Sequence, residues 1–190
     1  QDARSFNIKN SGLLSLQGNV TIAGGSSESS YFWSFITCTA GGIVYMTDNC
    51  SIQNTHARKT TATGQRGGGA ISINCDQSED SRVYLLGNAS IVSCVSDKNS
   101  SSIDNGGAVV ITNGSLVMRD NAKISNCFAN ETIALSLGGG VYMENGLFEM
   151  YDNATIEKCK ANAGGALYMK GGIFNMYGGL LAHSCMTTKQ

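Results

Sequence analysis

Residues 138 to 185 carry one pattern written twice: GGGVYMENGLFEMYDNATIEKC is followed, after KANA, by GGALYMKGGIFNMYGGLLAHSC. A short copy of this kind cannot bury its own apolar face, so successive copies must stack and share a core. Each copy holds three alternating segments, the first after a Gly pair, the second after an Asn/Gly turn, and the third after an Asp-Asn or Gly-Asn turn. In the second segment an inward pair recurs as Leu14/Leu16, Val44/Met46, Val83/Leu85, Leu116/Met118, Phe148/Met150 and Phe174/Met176. Apolar spacing of two, with Gly every few residues, belongs to strands and opposes a helical period.

Earlier copies reach back to the N-terminus. The pattern predicts coils at 5 to 22, 31 to 55, 68 to 94, 106 to 127, 138 to 159 and 164 to 185, with a DQSED insertion in the third. A chain that makes three strands and returns to the same register sets each strand parallel to its equivalent one coil away. The expected fold is therefore all-β: a single-stranded right-handed parallel β-helix of about six coils of three short strands, forming one domain over residues 1 to 190. Stacking at about 4.8 Å per coil makes this a rod on the order of 30 Å long. Hairpin folds would need adjacent antiparallel strands of matched length, which the uneven triplet does not supply.

Composition narrows the function. The net charge is -1, from 13 basic and 14 acidic side chains, and no Lys/Arg cluster is available to neutralise phosphates. Nucleic acid is not an expected partner. No apolar run reaches the length of a membrane-spanning helix. The opening QDARSFNI lacks the basic and apolar regions of a signal peptide, so the chain is expected to be mature or trimmed. Seven Cys, and N-x-S/T sequons at Asn19, Asn49, Asn88, Asn99, Asn113, Asn130 and Asn153, fit an extracellular or cell-surface location. Insertions fall at 23 to 30, 56 to 67, 95 to 105 and 128 to 137, shrinking to KANA at 160 to 163. They gather on one edge of the rod, which either serves recognition or merely tolerates length.

GGAIS, GGAVV and GGALY stand at equivalent places, and through them the chain resembles the repeats of polymorphic outer membrane proteins. It is similar as well to the passenger domains of autotransporter-type adhesins. Where those repeats carry F-x-x-N, this chain reads IVSC, ISNC, IEKC or AHSC. The resemblance spans roughly residues 5 to 185 and implies a surface or secreted role in adhesion or structure.

Stacking turns repeated residues into columns. Asn19, Asn49, Asn88, Asn121 and Asn153 share one turn position, each preceded by Gly or Asp, and are expected to form an Asn ladder. If that ladder is internal, Asn99, Asn113 and Asn130 become the better glycosylation candidates. Asp120 and Asp152 would lie about 5 Å apart, a separation seen in paired catalytic carboxylates, but solvated turn residues are the preferred reading. Cys94, Cys127, Cys159 and Cys185 align after the third strand, to form two disulfides or remain a reduced ladder. Cys38 and Cys75 align after the first strand and are read as a disulfide pair, leaving Cys50 over.

Tyr45, Tyr84, Tyr142 and Tyr168 alternate out of phase with inward positions, either as strand formers or, for Tyr142 and Tyr168 above all, as ligand-facing aromatics that stack on sugars. His56 and His183 lack a recurring nucleophile or carboxylate, and Arg82, Arg119 and Lys123 read as isolated. No enzyme activity, cofactor or metal is expected. The first coil starts about five residues from the N-terminus and only MTTKQ follows Cys185, so neither end shows a cap. The leading expectation is an extracellular or cell-surface structural β-solenoid, associating end to end with further copies in a filament or continuing a longer chain. The alternative is an adhesin or carbohydrate-binding module that uses the loop edge to bind glycans.

Overall fold

The computed structural model describes residues 6–24, 34–59, 68–75, 80–98, 104–130, 136–183 and 186–187. Within them the chain winds into a parallel β-helix, each strand pairing in parallel with its equivalents in the neighbouring coils. Face 1 is a six-stranded sheet of Phe6–Ile8, Ile36–Thr39, Ile71–Asn74, Val109–Ile111, Val141–Met143 and Leu167–Met169. Face 2 stacks Leu13–Leu16, Ile43–Met46, Arg82–Leu85, Ser115–Met118, Leu147–Met150 and Ile173–Met176. Face 3 stacks Thr21–Ala23, Ser51–Gln53, Ser90–Val92, Lys123–Ser125, Thr155–Glu157 and Leu180–His183.

The register on face 2 follows the alternation in the sequence. Val44 lies opposite Leu14 and Val83, Leu116 opposite Val83 and Phe148, and Phe148 opposite Phe174. From the second coil to the fifth these inward pairs are fully buried, and with the inward residues of faces 1 and 3 they form one continuous core. Inside it the Phe148 and Phe174 rings sit 5.0 Å apart. Each strand hands its inward side chains the same neighbours as the strand before. One layer of core is therefore a template for the next.

The coil has more than the three strands expected. A fourth face of five strands, His56–Lys59, Val95–Lys98, Phe128–Ala129, Lys160–Ala161 and Met186–Thr187, follows face 3 directly. What reads in sequence as the start of a variable insertion is thus a repeated strand. Its inward positions Ala57, Ser96, Ala129 and Ala161 are small and buried. A short ladder outside the main sheets pairs Asp104–Asn105 with Ser136–Leu137, and Leu137 bridges on to Ala163. The corner between faces 3 and 4 is made by Asn54, Ser93, Asn126 and Lys158, all left-handed with φ between 54 and 56.

Coils three to five close where the fourth strand meets the coil's own glycine corner, at Gly69 against Val95, Gly107 against Phe128 and Gly139 against Lys160. A Cβ on Gly107 would overlap the Gly139 carbonyl and the backbone of Phe128, and one on Gly139 would overlap the backbone of Lys160. Backbone occupies the space a side chain would need, so the Gly pair is a packing requirement. Gly107→Ala or Gly139→Ala is expected to destabilise the fold by about 3 kcal/mol, the upper range for overpacking. A shift of the urea midpoint, with unchanged slope, measures it.

Candidate functional site

The corner between faces 2 and 3 carries the asparagines. Asn49 Nδ2 donates to Asn19 Oδ1 at 2.9 Å, Asn88 to Asn49 at 3.0 Å, Asn121 to Asn88 at 3.1 Å and Asn153 to Asn121 at 3.4 Å. All five side chains are exposed, so the ladder is external. The hydroxyl two residues on is also a column: Thr21 and Ser90 both lie opposite Ser51, and Ser51 donates to Thr21. An Asn column beside a Ser/Thr column writes N-x-S/T as a by-product of stacking. Among the preferred glycosylation candidates, Asn130 Nδ2 donates to Asp97 at 2.7 Å and Asn113 Nδ2 to the Cys75 carbonyl at 3.4 Å. Asn99 lies outside the described residues.

The aspartates beside the ladder brace backbone. Asp48 Oδ2 accepts from the Gly18 N–H at 2.8 Å, Asp120 Oδ2 from Gly87 at 2.8 Å, and Asp152 Oδ2 from the Asp120 N–H at 3.1 Å. Asp120 and Asp152 thus meet through a carboxylate and an amide, and each holds the turn of the coil before it. Asp48, Asp120 and Asp152 are themselves left-handed, with φ of 57, 58 and 54. Asp suits both demands, since its short side chain tolerates that region and accepts hydrogen bonds.

No disulfide links the six described cysteines to one another. The expected Cys38–Cys75 pair is not in register: Cys38 stands opposite Ile73, two residues short of Cys75, because the DQSED insertion obscures where the strand ends. Cys38 Sγ instead donates to the Gly42 carbonyl at 3.0 Å. Cys50 continues a column of small buried residues with Ala89, Ala122 and Ala154, tied by the amide bonds from Ser90 to Cys50, Lys123 to Ala89 and Thr155 to Ala122. At the corner between faces 3 and 4, Cys94, Cys127 and Cys159 are buried one above another beneath Thr55. Cys185 lies outside the described residues.

Of the two tyrosines expected to face a ligand, Tyr142 is covered and Tyr168 is half-buried. Tyr142 is only 2% exposed, packed with Val110 and Leu137, because the chain preceding coils four and five folds back over face 1. Ser136 and Asn162 hold that cover through bonds of 2.8 to 3.0 Å. The Tyr142 and Tyr168 rings stack at 5.8 Å and 4°, and Tyr45 and Tyr84 at 4.6 Å and 8°. In each pair one face of each ring is spent on the other ring. Outward alternation alone could not reveal either fact.

Residues that read as isolated find partners one coil away. Arg119 lies over the Tyr151 ring at 4.2 Å, and Tyr151 stacks on Tyr177 at 4.8 Å. Lys123 pairs with Glu157 at 3.0 Å, Lys170 with Glu144 at 2.7 Å, and Arg82 with Asp80 at 2.8 Å. His56 Nε2 approaches Asp97 Oδ2 at 3.2 Å. Apart from Arg82 and Asp80, two residues apart, the signal for these contacts was a spacing of one whole coil. The side chain of His183 lies outside the described residues. Among the described residues, no group of three or more His, Cys, Asp or Glu is arranged to hold a metal, and no helix is long and apolar enough to cross a membrane.

Comparison of the chain with protein-family models, curated proteins and solved structures finds no match. Two outcomes follow from the geometry. Tyr142→Ala is expected to cost about 3 kcal/mol and Tyr84→Ala about 1 kcal/mol in thermal or urea unfolding, since only the first empties a covered site. The Cys38 thiol is pushed up to about 12, chiefly by burial, against 9.0 for a free thiol. As pH rises the unfolded chain loses this proton first, so the stability contributed is full below about pH 9 and is lost toward pH 12. Unfolding curves across that window should show the decline, and Cys38→Ala should flatten part of it.

Proposed function

We propose that the chain is a structural segment of the cell surface or extracellular space, a β-solenoid rod lengthened by further coils stacked on its ends. The observation that carries this reading is the state of the outermost described coils. The inward residues Leu14 and Leu16 of the first coil and Phe174 of the last are only partly buried, and Met176 is 43% exposed, whereas their counterparts in the coils between are fully buried. Tyr177, 64% exposed, rests one ring face on Tyr151 and turns the other along the rod. Such surfaces match the next coil of the same pattern, from a second copy end to end or from a longer chain. Location outside the cell rests on the sequons off the ladder, at Asn99, Asn113 and Asn130, and on the cysteine content. The reading assigns the rod no reaction and no cofactor.

A second reading, as an adhesin or carbohydrate-binding module, rests on the gathering of the insertions. The segments 60–67, 99–103 and 131–135 all connect face 4 to the next glycine corner, so their anchors share one edge. A glycan screen that finds sugar-specific binding lost on replacing 99–103 or 131–135 would favour it.

Negative-stain electron microscopy with intact-mass measurement tests the leading reading. Unbranched filaments built of 19.9 kDa chains are expected if copies stack end to end, and Met176→Asp, at an inward position laid open in the last coil, should shorten them. Discrete particles on the order of 30 Å long at every concentration would reject self-stacking.

A further inference from the structure

The Cys94, Cys127 and Cys159 column has no part in the proposed function, and its geometry points to covalent chemistry. The three residues sit on consecutive rungs: the Phe128 N–H donates to the Cys94 carbonyl at 3.0 Å and the Lys160 N–H to the Cys127 carbonyl at 2.9 Å. One rung separates Cα atoms by about 4.8 Å, inside the range of about 4.4–6.8 Å that disulfides span. Each residue follows a left-handed corner residue, Ser93, Asn126 or Lys158, which places it at a bend. Each Sγ meets a carbonyl two residues back, Val92 at 3.4 Å, Ser125 at 3.3 Å and Glu157 at 3.2 Å, weak contacts that a small side-chain rotation exchanges for a neighbouring sulfur.

We propose that this column is a disulfide staple in which Cys127 bonds to one of its two neighbours, Cys94 or Cys159, and so joins consecutive coils covalently. Cys127 has one sulfur, so the two bonds are mutually exclusive. The interaction between the sulfurs is visible in their acidity: the hydrogen bond with Cys127 lowers the Cys94 pKa, whereas burial raises that of Cys127. Two thiols give up two protons and two electrons to form the S–S bond. The electrons pass to a small-molecule disulfide of the glutathione type, which leaves as two thiols. All three sulfurs are buried in the finished rod, so the exchange takes place while the chain is still winding. The bond would fix the register of neighbouring coils and restrict the unfolded chain.

The test is refolding in a buffer of reduced and oxidised glutathione, alkylation of the remaining thiols, proteolysis and mass spectrometry, with circular dichroism to confirm the β fold. The expected product links Cys127 to Cys94, or to Cys159, and raises the melting temperature above that of the protein folded under reducing conditions. Cys127→Ala should abolish both the link and the temperature difference, and Cys159→Ala should retain a Cys94–Cys127 link. Ala is the side chain the rod already tolerates in its other small-residue column. Folded protein in which Cys127 is alkylated, or bonded to Cys38, Cys50 or Cys75, overturns the proposal. If oxidative refolding yields no folded protein, protein folded under reducing conditions is treated with oxidised glutathione in sub-denaturing urea, and the state of Cys127 decides in the same way.

Discussion

Each coil must return to its starting point, and it does so at a place where only backbone fits. The return runs through the glycine corner across the coil's own fourth strand, Gly107 against Phe128 and Gly139 against Lys160. Thr55 ties the third coil's corner to the strand below with a bond of 2.7 Å to the Gly69 carbonyl. A closed cross-section of constant size is what allows one coil to stack on the next. Every column in the rod inherits its alignment from that closure.

Alignment then determines what side chains can do. Identical residues one rung apart interact with their own kind: amides form a directional chain from Asn153 to Asn19, and tyrosines stack in pairs. Unlike residues also pair across coils, Arg119 with Tyr151 in the same column and Lys123 with Glu157 from neighbouring columns of face 3. These interactions run along the rod and hold coil to coil. They also engage the ladder amides, the turn carboxylates and the stacked ring faces in contacts between neighbouring coils.

How much of this the sequence discloses depends on the contrast within each column. Face 2 was legible because large apolar residues alternate there with polar ones, as in Val83/Leu85 and Leu116/Met118. Face 4 was hidden because its inward residues, Ala57, Ser96, Ala129 and Ala161, are small, while its outward ones, His56, Val95, Phe128 and Lys160, share no hydropathy. The thiol column was readable from I-x-x-C at three described coils, but the Cys38 partner was misplaced by the DQSED insertion. Cys50 looked unassigned until its neighbours proved to be Ala89, Ala122 and Ala154.

By itself the sequence determined that the chain is a parallel solenoid, which residues face the core on its strongest strands, and which turn residues form columns. A repeat imposes these locally, through alternation and through Gly, Asn and Asp at fixed offsets. Only the tertiary structure decided which outward residues are exposed. Tyr142 points away from the main core as alternation requires, yet it is buried, because the chain around Asp104–Asn105 and Ser136–Leu137 returns to lie over it. Burial on that face depends on contacts between segments far apart along the chain, and periodicity within a single coil does not encode them.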